Sequence, residues 1–342
     1  VGNGYGIQEF DGSTWRMIKI PNGSFVRSFA KDSSGRIYVG SATELGYLDA
    51  DTSGATRYIS LLEQIPPEDR GFNYIWSIHA APEGIYFQAR ERLFLFEHVA
   101  PAGTNETSRL VKIWRPENPK NYFIHSFYLD QTLYVLQRGH GMKKLVGDSL
   151  ILIPGSQQFV NDRSHVMLPF PGRPGTAWLG TLNRGLYLYD GHSFQPLHTE
   201  ADELLQQGTL YDARVLPNGS LALGTLSAGF LIIDSTGKIK LHLTRETGLL
   251  SNTVAAVFVD RQKNIWLGMA GGVGILEYES GLTHFPFASG GVPFDLRRYQ
   301  GTLYASATDG IYYLDRHDSQ FKYVEGMRNS GASNSLAVDR HL

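Results

Sequence analysis

Eleven histidines, 33 acidic side chains and no cysteine bound the chemistry open to this 342-residue chain. Without cysteine there are no disulfides and no thiolate metal sites. Histidine ligation of zinc needs pairs at short fixed spacing, and neither H-x-H nor H-E-x-x-H occurs. Asp32, Asp130, Asp260 and Asp339 each end an apolar run and open a polar turn, so they read as turn formers whose carboxylates bond nearby amides. No D-x-D-x-D-G loop is present and no cofactor is expected, a structural calcium on the axis being the alternative. Gly2-Asn3-Gly4-Tyr5-Gly6 and Gly271-Gly272-Val273-Gly274 lack the strand, helix and downstream acid of a nucleotide loop and read as hairpin turns. No nucleophile, base and acid can be joined by spacing, so the chain is read as a binding module without catalytic residues. The residues left to explain are polar and aromatic: Arg27, Trp76, His125, His165, Tyr211, Arg214, Asn252, Asp295 and Arg297.

Their positions follow from a repeat. In Val254–Tyr278, the run Val254 to Val259 ends in Asp260 and a polar turn; Ile265-Trp266-Leu267-Gly268 follows, then a Gly-rich turn and Val273 to Tyr278. Period-two alternation bounded by Asp, Asn and Gly predicts antiparallel hairpins. The middle run recurs at Tyr38, Tyr86, Tyr134, Trp178, Ala222, Trp266 and Tyr304, spaced by about 38 to 48 residues, the period of a four-stranded propeller blade. These middle positions are expected to pack between blades. The fold class is therefore all-β: a single β-propeller over residues 1–342, with a partial first blade at 1–20, full repeats over about 21–328 and a closing innermost strand within 333–342. Combining the two ends in one blade gives eight blades; seven is the alternative. Val1-Gly2-Asn3 matches the end of a second strand, so an upstream segment is expected, and the chain reads as a piece of a longer protein. The stretches Ser60–Gly71, Ala100–Ser108 and Glu200–Gly208 interrupt the period as loops, the last with a short helix.

In a propeller the loop entering each innermost strand opens at the mouth of the central channel. RGFNYIW, NYFIHSF, NDRSHVM, TLYDARV, LSNTV and PFDLRR would converge there, bringing the nine residues named above into one concavity. The formal charge of −2 is spread without blocks, which argues against nucleic acid and anionic membrane surfaces as partners. The longest apolar-looking run, Leu221 to Ile233, is broken by Gly224, Thr225, Ser227 and Gly229 and is too short to insert in a bilayer.

The stretch GLLSNTVAAVFVDRQKNIWLGMAGGVGILEYESGLTHF resembles the two-component-regulator propeller repeat, with its "GL-S-N-x-V" entry, Asp-ended strand and "I/L-W-L/I-G-T" strand. The resemblance runs through nearly the whole chain and is weakest at Glu83–Glu97 and His125–Leu145, where the Trp and the Gly-Thr pair are replaced. It implies a periplasmic or extracytoplasmic sensor domain of a membrane-anchored, Bacteroidetes-like regulator, acting as a homodimer and recognising a small molecule such as an oligosaccharide. The competing readings are a propeller lyase or lactonase with a channel metal, and a protein-interaction scaffold.

Overall fold

The computed structural model describes residues 2–10, 13–23, 25–50, 54–98, 108–278, 292–315 and 320–328. The chain divides into two compact units, Val1–Tyr278 and Glu279–Leu342. Within the first, seven antiparallel sheets follow one another in chain order, each a meander whose neighbouring strands are consecutive in sequence. The first sheet holds Gly2–Asn3, Gly6–Phe10 and Trp15–Ile18. The second runs Val26–Lys31, Ile37–Ser41, Leu45–Ala50 and Thr56–Ser60, and the third Ile75–Ala81, Gly84–Ala89, Leu93–Phe96 and Leu110–Trp114. The fourth runs Phe123–Leu129, Thr132–Gln137, Gly141–Val146 and Ser149–Leu152. The fifth runs Ser164–Pro169, Ala177–Thr181, Leu186–Tyr189 and Phe194–Leu197, and the sixth Leu210–Val215, Leu221–Thr225, Phe230–Ile233 and Ile239–Leu243. The seventh shows Val254–Val259, Ile265–Met269 and Gly272–Leu276.

The second unit carries the eighth sheet, Pro293–Tyr299, Thr302–Ala307, Gly310–Asp315 and Gln320–Arg328, around Ala305, Ala307, Tyr312 and Phe321. Eight sheets of blade type agree with the sequence reading. The closing strand expected within 333–342, and the loop tip at 100–108 apart from Ser108, lie outside the described residues. The expected short helix is Asp202–Gly208, and Ser60–Gly71 holds two single 3-10 turns, Leu62–Gln64 and Pro67–Asp69.

In the first unit the first strands of the second to seventh sheets stand side by side in order. A glycine in the second strand sets how closely they approach. A Cβ on Gly40 would meet Ile75 Cγ2 at 2.5 Å, one on Gly180 would meet Leu210 Cδ2 at 2.5 Å, and one on Gly224 would meet Val254 O at 2.8 Å. Between sheets the apolar faces are buried: Tyr38 and Trp178 are 0% exposed and Tyr86 is 2% exposed. Trp178 stacks on Phe170 at 4.7 Å. Trp266 is only partly buried, because its indole N–H reaches out to Asp260 Oδ2 at 2.8 Å.

Candidate functional site

In the second to seventh sheets, and again in the eighth, pairing between first and second strands slips by one residue at the same place. The residue left without a partner is Arg27, Trp76, Ile124, His165, Tyr211 and Ala255 in the first unit, and Phe294 in the second. Such a bulge turns its side chain out of the strand's alternation, and proteins use it to aim groups at sites. Four residues picked from the sequence, Arg27, Trp76, His165 and Tyr211, occupy these positions.

Around them runs an alternation of guanidinium and ring. Arg27 lies 4.6 Å from the Tyr74 centroid and 4.5 Å from that of Trp76. Arg90 lies 5.0 Å from both Trp76 and Tyr122, and Arg138 lies 5.4 Å from Tyr122 while donating from Nη1 to its hydroxyl at 2.9 Å. At these distances a cation is attracted to the ring face. Burial would raise the Tyr122 phenol, but the Arg138 hydrogen bond and the charges of Arg138, Arg90 and Arg163 bring it below its ordinary value. Tyr122 and Arg138 line a cleft of about 410 Å³ with Lys120 and Asn161; a smaller one of about 120 Å³ adds Ile124 and Arg163. The larger falls in the size range of small-molecule sites.

Three histidines, His79, His125 and His165, lie on three consecutive sheets. The rings of His125 and His165 stack at 5.3 Å with 4° between planes, and Tyr211 lies 4.8 Å from His165. His165 is pushed down to about 4 by burial first and then by the charges of Arg163, Arg27 and Arg90. His125 is also lowered, by burial and by His165, and its Nδ1 is buried without a hydrogen-bond partner. His79 joins a defined chain. Gln88 Nε2 donates to Phe123 O and Ala89 O, so its Oε1 receives Ser77 Oγ–H at 2.9 Å. Ser77 in turn accepts from Ser126 at 2.7 Å, which leaves His79 Nε2 to donate to Ser126 Oγ at 2.9 Å. That order makes His79 the neutral Nε2–H tautomer, and burial holds it down to about 4.

The remaining candidates do other things. Arg214 pairs with Asp212 at 2.6 Å, and Asp212 also accepts the Val257 amide of the seventh sheet at 2.8 Å. Asn252 Oδ1 takes the Arg245 amide at 2.6 Å and so stitches its own loop. Asp295 and Arg297 pair with each other at 3.3 Å within the second unit. The turn role read for the aspartates holds for Asp32, whose Oδ1 accepts the amides of Ser34 and Arg36, and for Asp260, which accepts that of Asn264, whereas the Asp130 carboxylate takes the distant Gly175 amide at 3.1 Å. Asp339 lies outside the described residues. Among the described residues no three His, Asp or Glu side chains gather as metal ligands. No described helix is long and apolar enough to cross a membrane.

Sequence reading missed Arg90 and Arg138, and it named the stretches holding Tyr74, Tyr122 and Arg163 without singling those residues out. A signal existed: Arg90 and Arg138 follow the second strands of the two repeats whose Gly-Thr pair is replaced. Opposite the bulge, where the second, fifth, sixth and seventh sheets have Gly40, Gly180, Gly224 and Gly268, the third and fourth have Gln88 and Leu136.

No family model and no curated protein sequence matches the chain. Among solved structures it is similar to the WD40 β-propeller domain of Doa1, at TM-score 0.58 and 15% identity over 82% of this chain and 88% of that one. It is similar also to a catalytically inactive virginiamycin B lyase from Staphylococcus aureus, at TM-score 0.57 and 10% identity over 84% and 94%. These two likenesses show the β-propeller fold. The extracellular domain of a hybrid two-component system, BT3049 from B. thetaiotaomicron, aligns at TM-score 0.43 and 12% identity over 94% of this chain. The chain spans about half the length of that structure, 54%.

Proposed function

We propose that this chain is the ligand-binding part of an extracytoplasmic sensor in a membrane-anchored bacterial regulator, and that a small molecule, a short oligosaccharide first among the classes to test, docks against the second to fifth sheets. The observation that carries the reading is the gathering of Arg27, Arg90, Arg138 and Arg163 with Trp76 and Tyr122 beside a cleft of about 410 Å³. Rings and planar cations held in place by one another lose little freedom when a ligand arrives. The sensor role is supported by the repeat text, from GLLSNTV to the Asp-ended strands. Signalling then requires the ligand to favour one arrangement of a homodimer over another.

Isothermal titration against a broad panel of neutral and acidic oligosaccharides tests the reading. At least one is expected to bind, and Tyr122→Ala is expected to weaken it tenfold or more, about 1.4 kcal/mol. No heat and no thermal shift across the panel overturns it.

A further inference from the structure

Resting on that reading, we propose that the ligand carries two or more oxyanion groups, carboxylate, sulfate or phosphate, gripped by Arg27, Arg90 and Arg138 with Arg163 beside them. Four observations lead there. The chain as a whole is slightly acidic, at −2, so a local excess of arginine is not a by-product of a basic protein. Elsewhere many arginines meet acids, among them Arg92 and Arg115 at Asp69, Arg184 at Asp162, Arg214 at Asp212 and Arg109 at Glu97, while Arg70 and Arg298 bond backbone carbonyls and Arg173 faces Phe170. Among the described residues no carboxylate lies within ion-pair distance of Arg27, Arg90, Arg138 or Arg163; Glu91, next to Arg90 in sequence, instead accepts Asn73 Nδ2 at 3.3 Å. Finally, the guanidinium groups of Arg27 and Arg90 lie over ring faces, and Arg138 uses Nη1 on the Tyr122 hydroxyl, so edge N–H groups remain to receive a planar anion in a fork.

The spacing argues for more than one anionic group. Arg27 and Arg90 both stand within 5.0 Å of the Trp76 centroid, and Arg90 and Arg138 within 5.4 Å of that of Tyr122, so neighbouring charges are no more than about 10 Å apart. That is about one Debye length at 0.1 M salt, close enough for the cations to repel one another unless an anion lies between them. A ligand with a single negative group satisfies one fork and leaves the others uncompensated. A short chain with a charge on successive units satisfies two or three.

The test is titration of the whole chain with four probes at low and physiological salt: a uronic-acid trisaccharide, a sulfated disaccharide, a neutral trisaccharide and pyrophosphate. Arg90→Gln and Arg90→Lys are compared with the parent, with circular dichroism confirming the fold of each. At least one anionic probe is expected to bind, to weaken tenfold or more in Arg90→Gln and partly recover in Arg90→Lys, and to lose affinity with salt. The neutral sugar is expected not to bind. Which anionic probe binds tells sugar acid, sulfate and phosphate apart. If the neutral sugar binds, is lost in Tyr122→Ala and is indifferent to Arg90→Gln, the oxyanion assignment falls while the binding site stands. Anion binding indifferent to Arg90→Gln also overturns the assignment, and silence from all four probes overturns both readings.

Discussion

The carboxylate of Asp69, 1% exposed, is clasped by two arginines: Arg92 Nε donates to Oδ1 at 2.7 Å, Arg115 Nε donates to the same oxygen at 2.9 Å, and Arg115 Nη2 donates to Oδ2. The bond from Arg115 holds this carboxyl below its ordinary range against the opposing effect of burial, and Arg92 adds to it. A carboxylate depressed in the folded state stabilises fully above its unfolded pKa near 4 and loses that contribution as pH falls through the folded value. Asp69→Asn is therefore expected to cost about 2–3 kcal/mol at pH 7, towards the low end for a buried pair because Arg115 is half exposed. The gap from the parent should narrow below about pH 4, as read from urea midpoints at pH 7 and pH 3. At the bulges, residue types alone gave Arg27, Trp76, His165 and Tyr211, since a polar or bulky side chain entering an apolar strand is conspicuous in sequence. Arg90 and Arg138 were hidden, because an arginine after a strand is ordinary on a surface and only the stacked rings give it meaning.

At the scale of elements, the turn after each first strand was legible and its strain was not. Three residues after Asp32 and Leu216, in the turns that follow the first strands of the second and sixth sheets, come Gly35 and Gly219, with φ of 95° and 82°. After Asp260 the same place is taken by Lys263 at φ 69°. A side chain in the left-handed region costs about 1–2 kcal/mol relative to glycine, partly offset by glycine's larger freedom when unfolded. Lys263→Gly is expected to stabilise the protein by about 0.5–1 kcal/mol, seen as a higher denaturant midpoint; a lower midpoint would refute the strain. Strands, turns and period were readable because alternation and Asp-Gly chemistry are local. The bulges were not, because Val26–Lys31 reads as unbroken strand in sequence, and only the register with Ile37–Ser41 reveals that Arg27 has no partner.

Across the molecule, the number of sheets followed from the period, whereas the division into two units did not, since the repeat text runs through Tyr278 without a change of composition. A property of the first unit as a whole follows from its histidines. His79 and His165 stay neutral when folded until about pH 4, while an unfolded histidine takes up its proton near 6.5. With folded values depressed, stability is full above pH 6.5 and drains away as pH falls towards 4, by on the order of a few kcal/mol. The thermal midpoint should drop between pH 7 and 4.5, less steeply in His79→Gln; a flat profile would speak against both burials. This window lies above that of Asp69, so the two are separable.

The unpartnered position in each first strand has an evolutionary corollary. The paired residues hold the ladder, whereas the skipped residue takes no part in its register. Arginine, tryptophan, isoleucine, histidine, tyrosine and alanine already coexist at that place in consecutive sheets. Under the proposed function, a lineage could exchange one ligand for another by single substitutions at these six positions, without altering how the paired strands assemble.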